Sequence, residues 1–387
     1  MKKIGVITST RAEYGLLSPV IKELRKFESE NFLVELIVTG THLSEKYGMT
    51  INEINDRIDV KVPVSVDSES EIDISDNQAD VLKKFTSLFY EKKYNAIILL
   101  GDRYEIMAVA IAASNTRTPI FHLCGGDTTE GALDEWVRHS ITKMSYLHFV
   151  TNEVSRNRVI QMGENPERVY DYGSTSIDNI LNIADLSKME ALKSIGLSGN
   201  KKYAICTFHP VTMEHNTFEE QLYSLLEAIQ NFPDIDFIVT KSNADQGGEK
   251  INAILDQVDK SIDNMYLFYS LGARRYLSLM RYAEFVIGNS SSGIIETPAF
   301  HIPTINIGDR QKGRLQSLSI INCNPEKGEI INAINTALSD SFRNECKKAK
   351  SLYGDGNAAV QIAKKSCEVV FMDMINLKKV FYDLKNH

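Results

Sequence analysis

Short apolar runs alternate with amphipathic segments along almost the whole chain. Ile4–Thr8, Phe32–Thr39, Ala96–Leu100, Pro119–Leu123 and Leu147–Thr151 are rich in β-branched and apolar residues, as strands buried on both faces of a parallel sheet are. Between the first two, Leu16, Leu17, Val20, Ile21 and Leu24 fall on one face of a helix predicted over Gly15–Phe27. This βαβ alternation predicts a doubly wound sheet. A second series runs through Tyr203–Phe208, Asp236–Thr240, Tyr266–Phe268, Phe285–Gly288 and Thr304–Ile307, again with helical patterns between. The polar stretch from Gly173 to Gly199 separates the two series. The expectation is an α/β fold of two Rossmann-like domains facing a cleft, over residues 1–175 and 176–369. The final pattern, Ala358–Phe381, is apolar on one face, and a helix over residues 370–387 is expected to pack back on the first domain. The acidic, Ser-rich segment Asp67–Asp80 reads as a solvated loop.

Length agrees with this division, since 387 residues exceed one ordinary core. A net charge of −8 argues against a nucleic-acid partner, which needs a basic face. No apolar run approaches the ~20 residues that span a bilayer, so no membrane partner is expected. Met1-Lys-Lys resembles the start of a signal peptide, but Arg11 and Glu13 follow too soon, and the segment reads as the first strand. Five irregularly spaced cysteines look like reduced thiols of a cytoplasmic protein. No GxGxxG follows the first strand and no GxxxxGK[ST] occurs, which speaks against an ordinary dinucleotide site and excludes a P-loop. No His, Cys or carboxylate set has metal-ligand spacing, so no metal is expected.

Candidate chemistry gathers at strand ends. Asp102 and Arg103 in Leu100-Gly-Asp-Arg-Tyr-Glu105 follow a buried strand, where open α/β sheets bind ligands. Phe121-His-Leu-Cys-Gly-Gly-Asp127 repeats the arrangement. His209 stands after the Tyr203 strand, which Pro210 ends, and His42 stands after the second strand. In Thr8–Gly15, hydroxyls, a helix N-terminus and Arg11 could hold a phosphate, or form a cap with a surface arginine. In Gly288-Asn-Ser-Ser-Ser-Gly293, backbone amides with Ser290 and Ser291 could cradle a diphosphate, and Glu296 could accept both hydroxyls of a ribose; the bland alternative is a Ser-rich cap. Arg310, Lys312 and Arg314 could close over a phosphate or form a solvated charge run. Asp102, Asp127, Asp134 and Glu135 come from neighbouring segments, and acids paired in a cleft push each other's pKa apart into an acid and a base. Taken singly, each reads as a loop or cap residue. Asp134, Arg138 and Ile141 share a face of the helical pattern Leu133–Tyr146, where Arg138 and His139 could orient the acids or a sugar. Cys124 has no dedicated base and reads as a small buried residue.

Taken together, Ser9–Gly15, Leu100–Glu105, Gly125–Gly131, Arg138–Ser145, Phe208-His-Pro-Val211, Gly288–Gly293 and Gly308–Arg314 resemble, in order and over nearly the whole chain, the hydrolysing UDP-N-acetylglucosamine 2-epimerases of sialic acid biosynthesis. The resemblance implies a glycosyltransferase-B-like fold, a nucleotide-sugar substrate, a homo-oligomer, and no metal or nicotinamide, since no net redox occurs. It implies elimination of UDP to a 2-acetamidoglycal, then hydration at C1 with reprotonation of C2. By family position Asp102 and Asp134 are the acid and base, His209 contacts the diphosphate or sugar, and Arg11, Ser290, Ser291 and Arg310 hold the diphosphate. Glu296 holds the ribose, while His42, Arg103 and Arg138 meet the sugar.

Two departures bear on the substrate. Many relatives carry an acid where this chain has Cys124, and Glu where it has Asp127. Either the proton role passes to Asp127 or Glu135, or the sugar differs, as in the related branch that acts on 2,4-diacetamido-2,4,6-trideoxy sugars for legionaminic acid. The run His122–Asp127 replaces the His-Val-Glu-Ala-Gly-Leu-Arg run of the non-hydrolysing 2-epimerases. A glycosyltransferase needing an acceptor, and a nucleotide-sugar-binding regulator without catalytic acids, are the other readings.

Overall fold

The computed structural model describes residues 1–66, 70–129, 133–210, 218–242 and 248–384. Asp67, Glu130, Gly131, Val211 and the end of the expected C-terminal helix lie outside the described residues. Two compact units divide the chain: Met1–Asp127 with Asp134–Asp178 and Tyr353–His387, and Thr128–Leu133 with Asn179–Leu352.

The first unit holds a seven-stranded parallel sheet. Its strands are β1 (Lys2–Thr8), β2 (Phe32–Thr39), β3 (Val60–Val62), β4 (Ala96–Leu100), β5 (Ile120–Leu123), β6 (Leu147–Val150) and β7 (Val169–Asp171). They lie in the order β3-β2-β1-β4-β5-β6-β7. The strand order reverses between β1 and β4, so the loops after these strands diverge to opposite faces and leave a crevice at their carboxyl ends. Helix α1 (Arg11–Arg25) starts after β1, where Thr10 and Glu13 form a reciprocal capping box. Next come α2 (Glu71–Lys92), α3 (Tyr104–Asn115), α4 (Asp134–Met144) and α5 (Glu153–Gln161).

The second unit repeats the plan with β8 (Lys202–Thr207), β9 (Ile235–Thr240), β10 (Met265–Phe268), β11 (Val286–Gly288), β12 (Thr304–Ile307) and β13 (Ile320–Cys323). Their parallel order is β10-β9-β8-β11-β12-β13, with the reversal between β8 and β11. Its core joins Phe237 and Phe285, both fully buried, to Ile251, Ile305 and Ile334.

Three sequence expectations change. The chain returns to the first unit at Tyr353, and the helix that packs there is Ala358–Phe371; no helix covers residues 372–384. Asp178 starts that helix, accepting the main-chain N–H groups of Ala358 and Ala359 at 3.3 and 2.9 Å. Its Ile362, Ala363, Cys367 and Val370 enter the same core as Leu17, Ile21 and Phe32. The expected loop at 67–80 is helical from Glu71, because Ser70 and Asp73 form a capping box and the acids suit a helix N-terminus. Strands β3, β7 and β13, which the apolar pattern does not reveal, all lie at sheet edges, where one neighbour suffices and continuous burial is not required.

Candidate active site

Each candidate residue of the first unit sits at the carboxyl end of its sheet or on α4. Asp102 and Arg103 follow β4, and Arg103 occupies the cap position of α3. Cys124–Asp127 follow β5. The Gly125-Gly126 pair has a steric cause. Gly126 has φ +79°, and a Cβ there would lie 2.3 Å from the Ser155 carbonyl oxygen. Cys124 also takes a left-handed conformation, φ 63°, with its N–H donating to the Phe149 carbonyl at 2.9 Å.

Arg138 organises this end of the sheet. It is 1 % exposed. Its guanidinium donates to the Asp102 carboxylate, to the Asp127 carbonyl at 2.9 Å and to Glu135 Oε2 at 3.2 Å. Burial opposes its charge, but the Asp102 and Asp127 carboxylates outweigh burial and raise its pKa, with Asp134 adding to the effect. Glu135 also meets His139 Nε2 at 3.2 Å. Asp134, half-buried, begins α4. Asp102, Asp134, Glu135 and Arg138 therefore form one cluster. Asp127 joins it through its main chain only. Its carboxylate turns away and accepts from Thr151 Oγ1 at 2.6 Å and Ser155 Oγ at 2.7 Å.

Two histidines lie beneath. His122 Nε2 donates to the Gly101 carbonyl at 2.9 Å, and Nδ1 faces Thr142 Oγ1 at 3.2 Å. Desolvation drives its pKa down to about 3, so the ring is neutral. His42 is fully buried, with Nε2 3.1 Å from Thr8 Oγ1 and Nδ1 2.9 Å from Thr50 Oγ1. Desolvation holds it near 4. With both ring nitrogens engaged, His42 braces the turn after β2 against the end of β1. Arg11 is partly exposed and lies 3.8 Å from Glu53.

In the second unit the corresponding end is built around Asn289, which sequence reasoning passed over. Its side chain accepts the His209 N–H at 2.7 Å and donates to the His209 carbonyl at 2.8 Å. This pair of hydrogen bonds clamps the end of β8 to the loop after β11. His209 Nδ1 is 3.0 Å from Ser242 Oγ, which fixes the ring. The Asn289 carbonyl accepts from Arg310 at 3.2 Å and from fully buried Gln311 at 2.8 Å. Ser290 caps the short helix Ser291–Ile295, with Ser291 its first residue. Glu296 ends that helix and accepts from Ser292 Oγ. Burial pushes its carboxyl up to about 7, against the Ser292 hydrogen bond. Arg314 donates to the Thr128 carbonyl at 2.8 Å and to Thr129 Oγ1 at 3.2 Å, so this cation of the expected phosphate clamp holds a loop. Asn289 and Gln311 escaped notice because amides carry no charge signal; their place beside Ser290 and Arg310 was the available clue.

Among the described residues no group of three or more His, Cys, Asp or Glu is placed to hold a metal ion, and no helix is long and apolar enough to cross a membrane.

The sequence profile of UDP-N-acetylglucosamine 2-epimerase matches residues 24–365. The chain is 36% identical over 386 residues to the GDP/UDP-N,N'-diacetylbacillosamine 2-epimerase (hydrolyzing) of Campylobacter jejuni subsp. jejuni, covering 99% of each. It is 38% identical over 392 residues to polysialic acid biosynthesis protein P7 of Escherichia coli, covering 99% of this chain and 98% of that one. Among solved structures, the UDP-GlcNAc 2-epimerase of Neisseria meningitidis bound to UDP-GlcNAc superposes with a TM-score of 0.81 at 19% identity, over 95% of this chain and 100% of that one, which shows a shared glycosyltransferase-B-like fold. Two parallel sheets in a shared fold, a profile match over most of the chain and full-length relatives agree: the chain belongs to the UDP-N-acetylglucosamine 2-epimerase family, within its hydrolysing 2-epimerases.

Proposed function

We propose that the protein is a hydrolysing 2-epimerase of a nucleotide-linked 2,4-diacetamido-2,4,6-trideoxyglucose, releasing the free 2-epimer and the nucleoside diphosphate. The carrying observation is the full-length likeness to the Campylobacter enzyme named for N,N'-diacetylbacillosamine, a sugar of this kind. Cys124, at the carboxyl end of β5, stands where the resemblance implies an acid, and a changed residue there fits this branch.

In this reading a base removes the C2 proton as the C1–O bond breaks and the electron pair leaves with the diphosphate. Water then adds to C1 of the glycal, and C2 takes a proton from the opposite face. The C2 proton is weakly acidic, so leaving-group stabilisation carries much of the barrier. Ser290, Ser291 and Arg310 serve the diphosphate in the second unit, with His209 beside them and Glu296 on the ribose. In the first unit Arg11 is the phosphate-binding candidate. Asp102 and Asp134 are the proton-transfer pair, with Glu135 the third acid of the cluster. Arg138 orients the Asp102 carboxylate, as a base requires. The Asp127 carboxylate, committed to Thr151 and Ser155, holds the loop in place instead. Arg103 meets the sugar.

The Escherichia coli relative favours a second reading, the same chemistry on UDP-N-acetylglucosamine in sialic acid formation. Proton NMR in D2O with each substrate separates them. Release of a C2-deuterated 2-epimer and stoichiometric UDP from the diacetamido sugar alone supports the first reading; turnover of UDP-N-acetylglucosamine alone supports the second. A requirement for a sugar acceptor overturns both. Asp102→Asn, with nucleotide binding intact and turnover gone, places the loss in chemistry.

A further inference from the structure

Behind the first-unit cluster lies a second pair of acids that no step above uses. Glu13 on α1 and Glu105 on α3 are each only 5 % exposed and meet at Ser9, which is fully buried. Ser9 Oγ is 2.8 Å from Glu13 Oε2 and 2.9 Å from Glu105 Oε1. A hydroxyl carries one hydrogen, so it can donate to only one of these oxygens. With both acids ionised, the other contact would set an oxygen lone pair against a buried carboxylate. Glu13 Oε1 and Glu105 Oε2 are also buried and have no hydrogen-bond partner. Along Glu13 Oε2, Ser9 Oγ and Glu105 Oε1 two contacts share one hydroxyl hydrogen, so one donor is lacking, and a proton supplies it. Arg103 Nε donates to Glu105 Oε1 at 2.6 Å, a cationic partner for Glu105, so the proton belongs on the Glu13 side.

We propose that Glu13, Ser9 and Glu105 hold one shared proton, and that this proton keeps Arg103 and the turn Ser9–Arg11 in their substrate-binding arrangement. Glu13 and Glu105 are thus positioning residues, acting through Arg103 and Arg11. The role rests on the reading of those two arginines given above. The Ser9 carbonyl extends the network, accepting from Thr41 Oγ1 at 3.0 Å.

Burial first, and Glu105 second, raise the Glu13 carboxyl to about 7, against the pull of Arg103. The other groups around it do not titrate there. On α1, Arg11 is a cation beside Glu53, and burial raises the Tyr14 phenol. On α3, burial raises the Tyr104 phenol to about 12. After β2, His42 is neutral above about 4. Asp102, next to Arg103 in the chain, accepts from the Arg138 guanidinium. Glu13 is thus the group of this network whose carboxyl is raised to about 7.

The test has a spectroscopic arm that needs no turnover. Infrared spectra of the full chain with 13C-labelled glutamate should show a protonated-carboxyl band at slightly acidic pH that fades through neutrality and is missing in Glu13→Gln. In Glu105→Gln the band should fade at lower pH, because the repelling charge is gone. The kinetic arm follows KM for the nucleotide sugar. KM of the wild type should climb about tenfold per pH unit once the proton is lost, with kcat steady, while Glu13→Gln, whose amide keeps a donor, stays flat. A band unchanged in Glu13→Gln, or one that does not respond to Glu105→Gln, overturns the shared proton. A flat wild-type KM beside a titrating band overturns the positioning role. Absence of turnover with a titrating band counts against the functional reading and leaves the proton standing.

Discussion

Arg138 and Asp102 stand 36 positions apart in the chain, yet the guanidinium of one closes on the carboxylate of the other. The contact joins the middle of α4 to the end of β4 and fixes where the acids of α4 stand. Arg138→Met would leave Asp102, Glu135 and the Asp127 carbonyl without their shared donor. Removing one partner of a buried pair costs about 3–5 kcal/mol. Asp102, 27 % exposed, can recover some hydration, which places the loss at the low end, near about 3 kcal/mol. Urea denaturation measures it. Arg138→Lys should keep more stability but lose turnover, because an ammonium cannot reproduce a planar fork serving three oxygens.

Asn289 acts on His209 through the main chain, so Asn289→Ala should weaken nucleotide binding without touching the nucleotide contacts themselves. Two hydrogen bonds to the His209 backbone disappear, and with them about 1–3 kcal/mol of local order. Calorimetric titration with UDP should show weaker binding, while the stability of the first unit stays unchanged. Equal affinity in the variant would remove His209 from the diphosphate.

Gly288 offers a sharper test of the same loop. Its φ is +134°, and a Cβ would sit 1.9 Å from the Thr207 carbonyl oxygen. That contact is with backbone in the adjacent strand β8, which cannot swing aside. Gly288→Ala should therefore distort the β8–β11 pairing and abolish nucleotide binding. Retention of wild-type melting and binding would show that the strand pair yields.

How legible this was in the sequence varied with the physics. The nine central strands declared themselves because a strand buried on both faces must be apolar along its length, as Ala96–Leu100 is. Val60–Val62 and Val169–Asp171 are too short and too exposed at their edges to leave that trace. The acids and Arg138 were legible as types and by helical spacing. The direction of the Asp127 carboxylate was not, because it depends on Thr151 and Ser155, which only the fold brings near. The direction of the His42 ring likewise depends on contacts that only the fold makes. A histidine after a strand can face out or in, and Thr8 and Thr50 turn this one inward.

The segment after the last helix carries the remaining prediction. Lys379 reaches Glu164 Oε2 at 2.6 Å and caps the end of α4 through the Ser145 and Lys143 carbonyls at 2.7 and 3.1 Å. Phe381 packs over Gly163, where any Cβ would meet its ring at 2.3 Å. Glu164 is 1 % exposed and also binds Lys143 at 2.6 Å and His148 at 3.1 Å. Burial alone would raise its carboxyl, but the His148 hydrogen bond and the two ammonium groups pull harder and hold it at about 2. A depressed folded-state pKa stabilises above the unfolded value of 4.5 and stops doing so as pH falls through about 2. The shift corresponds to about 3 kcal/mol at neutral pH. Glu164→Gln should lose a stability of that order at neutrality and show a shallower acid limb than the wild type between those two pH values. Lys379→Met should free the tail for proteolysis and lower the melting temperature, while the acid limb persists through Lys143. Parallel acid limbs in wild type and Glu164→Gln would mean that the carboxylate is not the group through which acid unfolds this corner.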